Sequence, residues 1–95
     1  MRPPAGGPRR LALAPTANPC GRSIRVRLAS ASAEPVTLEL LDVQGRRLRV
    51  TVARPGAGGS IDVDLGATAG LPPGVYLVRA RQHQVSAVTR AIVIH

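Results

Sequence analysis

Ninety-five residues include 44% hydrophobic side chains but a single aromatic, Tyr76, so any core has to be assembled from Val, Leu, Ile and Ala. Thirteen basic residues, all arginine, stand against five acids, and the formal charge of +8 favours contact with polyanions such as nucleic acid or lipopolysaccharide. A lone cysteine, Cys20, excludes an internal disulfide and a thiol-based metal set, and no apolar run approaches the ~20 residues a membrane-spanning helix needs.

The chain opens with residues 1–17, rich in Pro, Gly and Arg and without period, which read as a flexible linker. Its short apolar run, residues 11–14, is too brief for the h-region of a signal peptide. Asn18-Pro19 closes this segment, the proline biasing Asn18 to an extended conformation. From there to residue 95 the pattern is that of one domain. Ile24, Val26 and Leu28 alternate with Arg25 and Arg27, the two-residue period of a strand with one wet face. A second strand, residues 36–41, puts Val36, Leu38 and Leu40 on one face and Thr37 and Glu39 on the other.

Asp42-Val43-Gln44-Gly45-Arg46 is a hairpin signal: the aspartate caps a turn through its own side chain and Gly45 takes the left-handed position. The return strand, residues 47–53, is expected to point Leu48, Val50 and Val52 inward and Arg49 and Thr51 outward. After a Gly-rich loop, Ile61, Val63 and Leu65 alternate with Asp62 and Asp64. Pro72 and Pro73 fix φ, Gly74 takes a positive φ, and residues 75–80 follow as a strand whose Tyr76 should fill the core while its hydroxyl pins a nearby loop. Gln82-His83-Gln84 is a polar turn before the last strand, residues 85–94, whose faces the alternation does not assign.

No helical period exceeds a turn. Six or seven short strands separated by turn signals point to an all-β, immunoglobulin-like antiparallel sandwich, with a small closed barrel as the structural alternative.

Chemistry is sparse. Asp62 and Asp64 share one face of one strand and are expected to pair with arginines of a neighbouring strand rather than hold a cation. No serine or cysteine has the context of an activated nucleophile, His83 and His95 are a turn residue and the terminal residue, and no catalytic, metal or cofactor set is expected. Specific nucleic-acid binding is not expected either, since stacking platforms need aromatics among the cations.

The order of signals is more specific than any one of them. Asn18-Pro19, the Ile24 strand, the Val36 strand running into Asp42, the Gly45-Arg46 turn, Pro73-Gly74-Val75-Tyr76 with Arg79, and a last strand with Arg90 resemble the type A C-terminal sorting domain of the type IX secretion system. The immunoglobulin-like domain of the flagellar hook capping protein shares the Asp-x-x-Gly-Arg and Gly-x-Tyr signals. The resemblance implies a secreted or cell-surface role at the end of a larger precursor, with the outer-membrane translocon, a sortase-like protease and anionic lipopolysaccharide as partners. Arg46, Arg79, Arg90, Ile92 and Ile94 would form the recognition surface, although Arg46 reads first as an exposed turn residue. The alternative function is an immunoglobulin-like accessory or protein-interaction module of an extracellular or flagellar protein. Leu41 and Val26 stand where the family usually carries aromatics, and Gln82 to Gln84 where it often has a glycine.

Overall fold

Alternating aliphatic and polar residues pair edge to edge here as they must when half of every strand seeks cover. A computed structural model describes residues 11–55 and 59–94. It contains seven strands: β1 (Leu11–Pro15), β2 (Ser23–Ser30), β3 (Val36–Leu41), β4 (Arg47–Ala53), β5 (Ser60–Ala67), β6 (Gly74–Gln82) and β7 (Val85–Val93). They form two antiparallel sheets, ordered β1-β2-β5 and β4-β3-β6-β7. The fold is an immunoglobulin-like sandwich, with β4 paired to β3 instead of joining the first sheet.

Ile24, Val26 and Leu28 of β2 face Val36, Leu38 and Leu40 of β3, and all six are fully buried. Val78, Ala80, Ala91 and Val93 complete the layer. Each large aliphatic so enclosed contributes roughly 1.5–3 kcal/mol, enough for a core without Phe or Trp. Tyr76 is buried beside them, and its hydroxyl donates to the Pro72 carbonyl. A tyrosine at the start of the sixth strand bonded four residues upstream is the tyrosine corner of immunoglobulin-like folds, and it ties residues 72–76 into one unit. Gly74 has the expected positive φ, 154°.

Two sequence expectations need correction. Residues 11–15 are not linker: β1 pairs with β2 from Leu11↔Ser30 to Pro15↔Val26. Leu11 and Leu13 pack against the core between the exposed Ala12 and Ala14, and an edge strand tolerates Pro15. Of the rest of the expected linker, residues 1–10 lie outside the described residues, as do residues 56–58 and His95.

The faces of β4 are the reverse of those expected. Paired residues share a face, and the register Val36↔Ala53, Leu38↔Thr51 and Leu40↔Arg49 turns Ala53, Thr51 and Arg49 inward. Leu48, Val50 and Val52 consequently face solvent, 42%, 49% and 56% exposed. The register shift between Leu40 and Leu41 leaves Leu48 in a bulge, a device that commonly occurs near sheet edges.

Arg49 reaches across the seam between the sheets, where its Nη1 donates to the carbonyls of Leu65 (3.1 Å) and Ala67 (2.8 Å) of β5. Gly66 makes the crossing possible: its φ is +105°, and a Cβ there would stand 2.6 Å from that nitrogen. Gly66→Ala should therefore lose the clasp and strain the backbone together, lowering stability by about 1–3 kcal/mol in urea unfolding. A change below a few tenths of a kcal/mol would show that Arg49 does not tie the sheets.

The opposite side is closed by backbone. Cys20 forms a parallel bridge to Val93, its amide donating to the Ile92 carbonyl at 2.7 Å. Cys20 itself is buried in the core, and burial pushes its thiol up, away from the reactive thiolate.

Candidate functional site

Two of the sequence signals converge at one end of the sandwich. The Asp42–Arg46 turn and the Pro73-Gly74-Val75-Tyr76 segment line a single shallow cleft of about 240 Å³. The turn is built as its residues dictate. Asp42 Oδ1 accepts from the amides of Gln44 and Arg46, both at 2.9 Å, and Gly45, at φ 86°, donates its own amide to the Asp42 carbonyl. Oδ2 accepts from Arg46 Nε at 2.7 Å.

The Arg46 amide, with help from its side chain and the Gln44 amide, holds the Asp42 carboxyl below its ordinary range. Arg46 spends only Nε on this contact; its side chain is 74% exposed and its η nitrogens have no partner among the described residues. Its structural and its recognition reading are thus compatible: one edge of the guanidinium fixes the turn, the other faces outward. Val43 is exposed beside it.

A second cluster lies on the outer face of the four-stranded sheet. Glu39, on the face opposite Val36, Leu38 and Leu40 as the alternation predicts, is buried at the centre of that face on β3. Arg79 of β6 donates Nε to its Oε1 at 2.9 Å, with Nη2 at 2.8 Å; Arg47 Nη1 lies 3.4 Å from Oε2 and Arg81 Nη1 3.9 Å from Oε1. The hydrogen bond from Arg79 holds the Glu39 carboxyl below its ordinary range, against the upward push of burial. Arg79, expected as a recognition residue, is therefore first an ion-pair partner. Nothing in the alternation of β3 reveals this; the register, pairing Glu39 with Arg79 and Val50, does.

Asn18 works far from its neighbours in sequence. Its Nδ2 donates to the Arg90 carbonyl and its Oδ1 accepts from the Ile92 amide, both at 3.1 Å, so the side chain imitates a strand along β7, and the Asn18-Pro19 peptide is cis. Ile92 is half-buried with its amide and carbonyl both engaged, which blocks edge pairing at this end of the last strand. Arg90 and Ile94 are exposed, Ile94 lying just past β7. The structure brings Asp42, Arg46, Pro73, Gly74 and Tyr76 to one cleft, and it places Asn18, Pro19, Ile92 and Ile94 on the β7 edge.

Asp62 and Asp64 do face arginines: Arg27 Nη2 lies 3.3 Å from Asp62 and Arg25 Nε 3.7 Å from Asp64, all with more than half of their side-chain surface exposed. Such exposed pairs add only tenths of a kcal/mol. Sequence reasoning missed Gln82, buried at the end of β6, whose Nε2 donates to the Glu34 carbonyl at 2.8 Å and anchors the loop before β3. Among the described residues no three His, Cys, Asp or Glu side chains gather as metal ligands, and no helix is long and apolar enough to cross a membrane.

No protein-family model matches this chain, and no curated protein matches it as a relative.

Proposed function

We propose that this chain is a non-enzymatic C-terminal sorting domain of the type IX secretion kind, carrying an upstream protein across the outer membrane. The observation that supports the reading is the convergence just described. Signals spaced thirty residues apart in the sequence, Asp42-x-x-Gly45-Arg46 and Pro73-Gly74-Val75-Tyr76, line one cleft at one end of the sandwich. In this reading the translocon contacts that end, with Arg46 and Arg90 as its polar contacts. A sortase-like protease then releases the cargo to the cell surface or to lipopolysaccharide. Arg79, tied to Glu39, has a supporting role.

A reporter test decides it. The whole chain, including β1, is fused behind a periplasmic reporter in a bacterium that has this secretion system. Surface or medium localisation that is lost with Arg46→Ala is the expected result. A reporter that stays periplasmic overturns the proposal.

A second reading, an immunoglobulin-like interaction module of an extracellular or flagellar protein, is favoured by the exposed aliphatic stripe on β4. Such a module would work equally well in mid-chain, where a C-terminal address would not.

A further inference from the structure

The outer face of the four-stranded sheet combines three properties that a merely solvated surface does not need. First, β4 ends the order β4-β3-β6-β7, and no strand among the described residues lies beyond it. Secondly, its outward side chains are Leu48, Val50 and Val52, each at least 42% exposed, next to neither lysine nor acid on the same strand. Natural edge strands are usually blunted by charge, proline or a bulge; on β4 Arg47 and the bulge at Leu48 guard one end, and the stretch that carries Val50 and Val52 has no outward charge. The inward cation Arg49 does not serve here, because the Leu65 and Ala67 carbonyls already hold it. Thirdly, arginines bracket the stripe: Arg46 and Arg47 at one end, Arg54 at the other, all exposed. Across the face Arg79 and Arg81 share the single carboxylate of Glu39 with Arg47.

The geometry points to β4 as an edge that accepts an extended segment of a partner protein, aliphatic in its middle and acidic at both ends. Main-chain bonds would extend the sheet by one strand, alternate aliphatic side chains would cover Leu48, Val50 and Val52, and flanking carboxylates would meet the two groups of arginines.

Charge selects this occupant. A second copy paired antiparallel along β4 would set Arg47 of one chain near Arg54 of the other at both ends, a like-charge contact. An anionic membrane would satisfy the arginines. However, the only aromatic is buried, and three short side chains lying flat on a sheet lack the Trp or Tyr anchors of an interfacial site. The inference stands apart from the sorting proposal, since β4 would bind such a segment in either kind of module.

The test uses the full chain and the labelled peptide Glu-Glu-Val-Thr-Val-Thr-Val-Glu-Glu, with a counterpart carrying Lys for every Glu. The acidic peptide should bind at sub-millimolar concentration and shift backbone amide resonances of residues 48–52. The lysine peptide should bind at least about tenfold more weakly. Val50→Lys should abolish binding while circular dichroism is unchanged. Arg54→Glu, which keeps the stripe, should narrow the gap between the two peptides. Equal binding of both peptides, no binding, or shifts confined to β7 would overturn the inference. So would a dimer in sedimentation that Val50→Lys dissolves, which assigns the edge to a second copy. Val50-dependent binding to phosphatidylglycerol vesicles without peptide binding would assign it to lipid.

Discussion

Tyr76→Ala is expected to lower the stability of this domain by about 4 kcal/mol, whereas Tyr76→Phe should lower it by only about 1 kcal/mol. The alanine variant empties the largest side-chain volume in a core that has no second ring to close over the gap. The phenylalanine variant keeps that volume and removes only the bond to the Pro72 carbonyl. Small domains have a total stability of roughly 5–15 kcal/mol, so the first variant should lose a large share of it. Urea unfolding followed by far-ultraviolet circular dichroism checks both, since neither variant retains the tyrosine signal. Equal losses would mean that the ring contributes only through its hydroxyl.

The second large effect is at Glu39. Removing one partner of a buried ion pair commonly costs 3–5 kcal/mol. Arg79, Arg47 and Arg81 keep 36%, 62% and 57% of their side-chain surface in water, so the remaining charges are partly solvated and Glu39→Ala should cost about 2–3 kcal/mol. Glu39→Met, which fills the site, should recover most of that loss.

The same carboxylate sets a pH dependence. Because Glu39 titrates lower in the folded chain than in the unfolded one, its stabilisation is complete above the ordinary carboxylate range. It is lost as pH falls through the lowered folded value. Asp42, also lowered, acts in the same direction. Wild-type stability should thus fall on acidification below roughly pH 4, and Glu39→Met should flatten part of that slope. An unchanged slope in the variant would assign acid sensitivity elsewhere.

The inner faces of β2 and β3 are legible in the sequence because Ile24-x-Val26-x-Leu28 and Val36-x-Leu38-x-Leu40 have only one way to hide. The Asp42–Arg46 turn and the corner at Tyr76 are legible for a different reason: aspartate, proline and glycine act locally, on backbone within four residues. β4 is not legible in that way. Leu48, Val50 and Val52 look like a core face by hydrophobicity, and only the pairing with β3 turns them out.

The exposed stripe and the clasp of Arg49 have one cause, the register of β3 with β4, and Gly66 inside a strand is the single local hint of it, since glycine there marks close approach. The partners of Glu39 and Asn18 escape sequence reasoning because they lie 40 and 72 residues away. β1 escapes it because prolines on either side mask a two-residue alternation of Leu and Ala.

The two margins of the sandwich are fastened by different means. Along one, Asn18 and Cys20 are stitched to the backbone of β7; along the other, the Arg49 guanidinium is the tie among the described residues, spanning the gap to Leu65 and Ala67. Local opening follows the cheaper route. The layers would part like a cover swinging on its spine, with β4 and β5 exchanging amide protons with solvent while the cysteine margin stays shut, so that transient exposure of the interior is confined to the flank that already carries Leu48, Val50 and Val52.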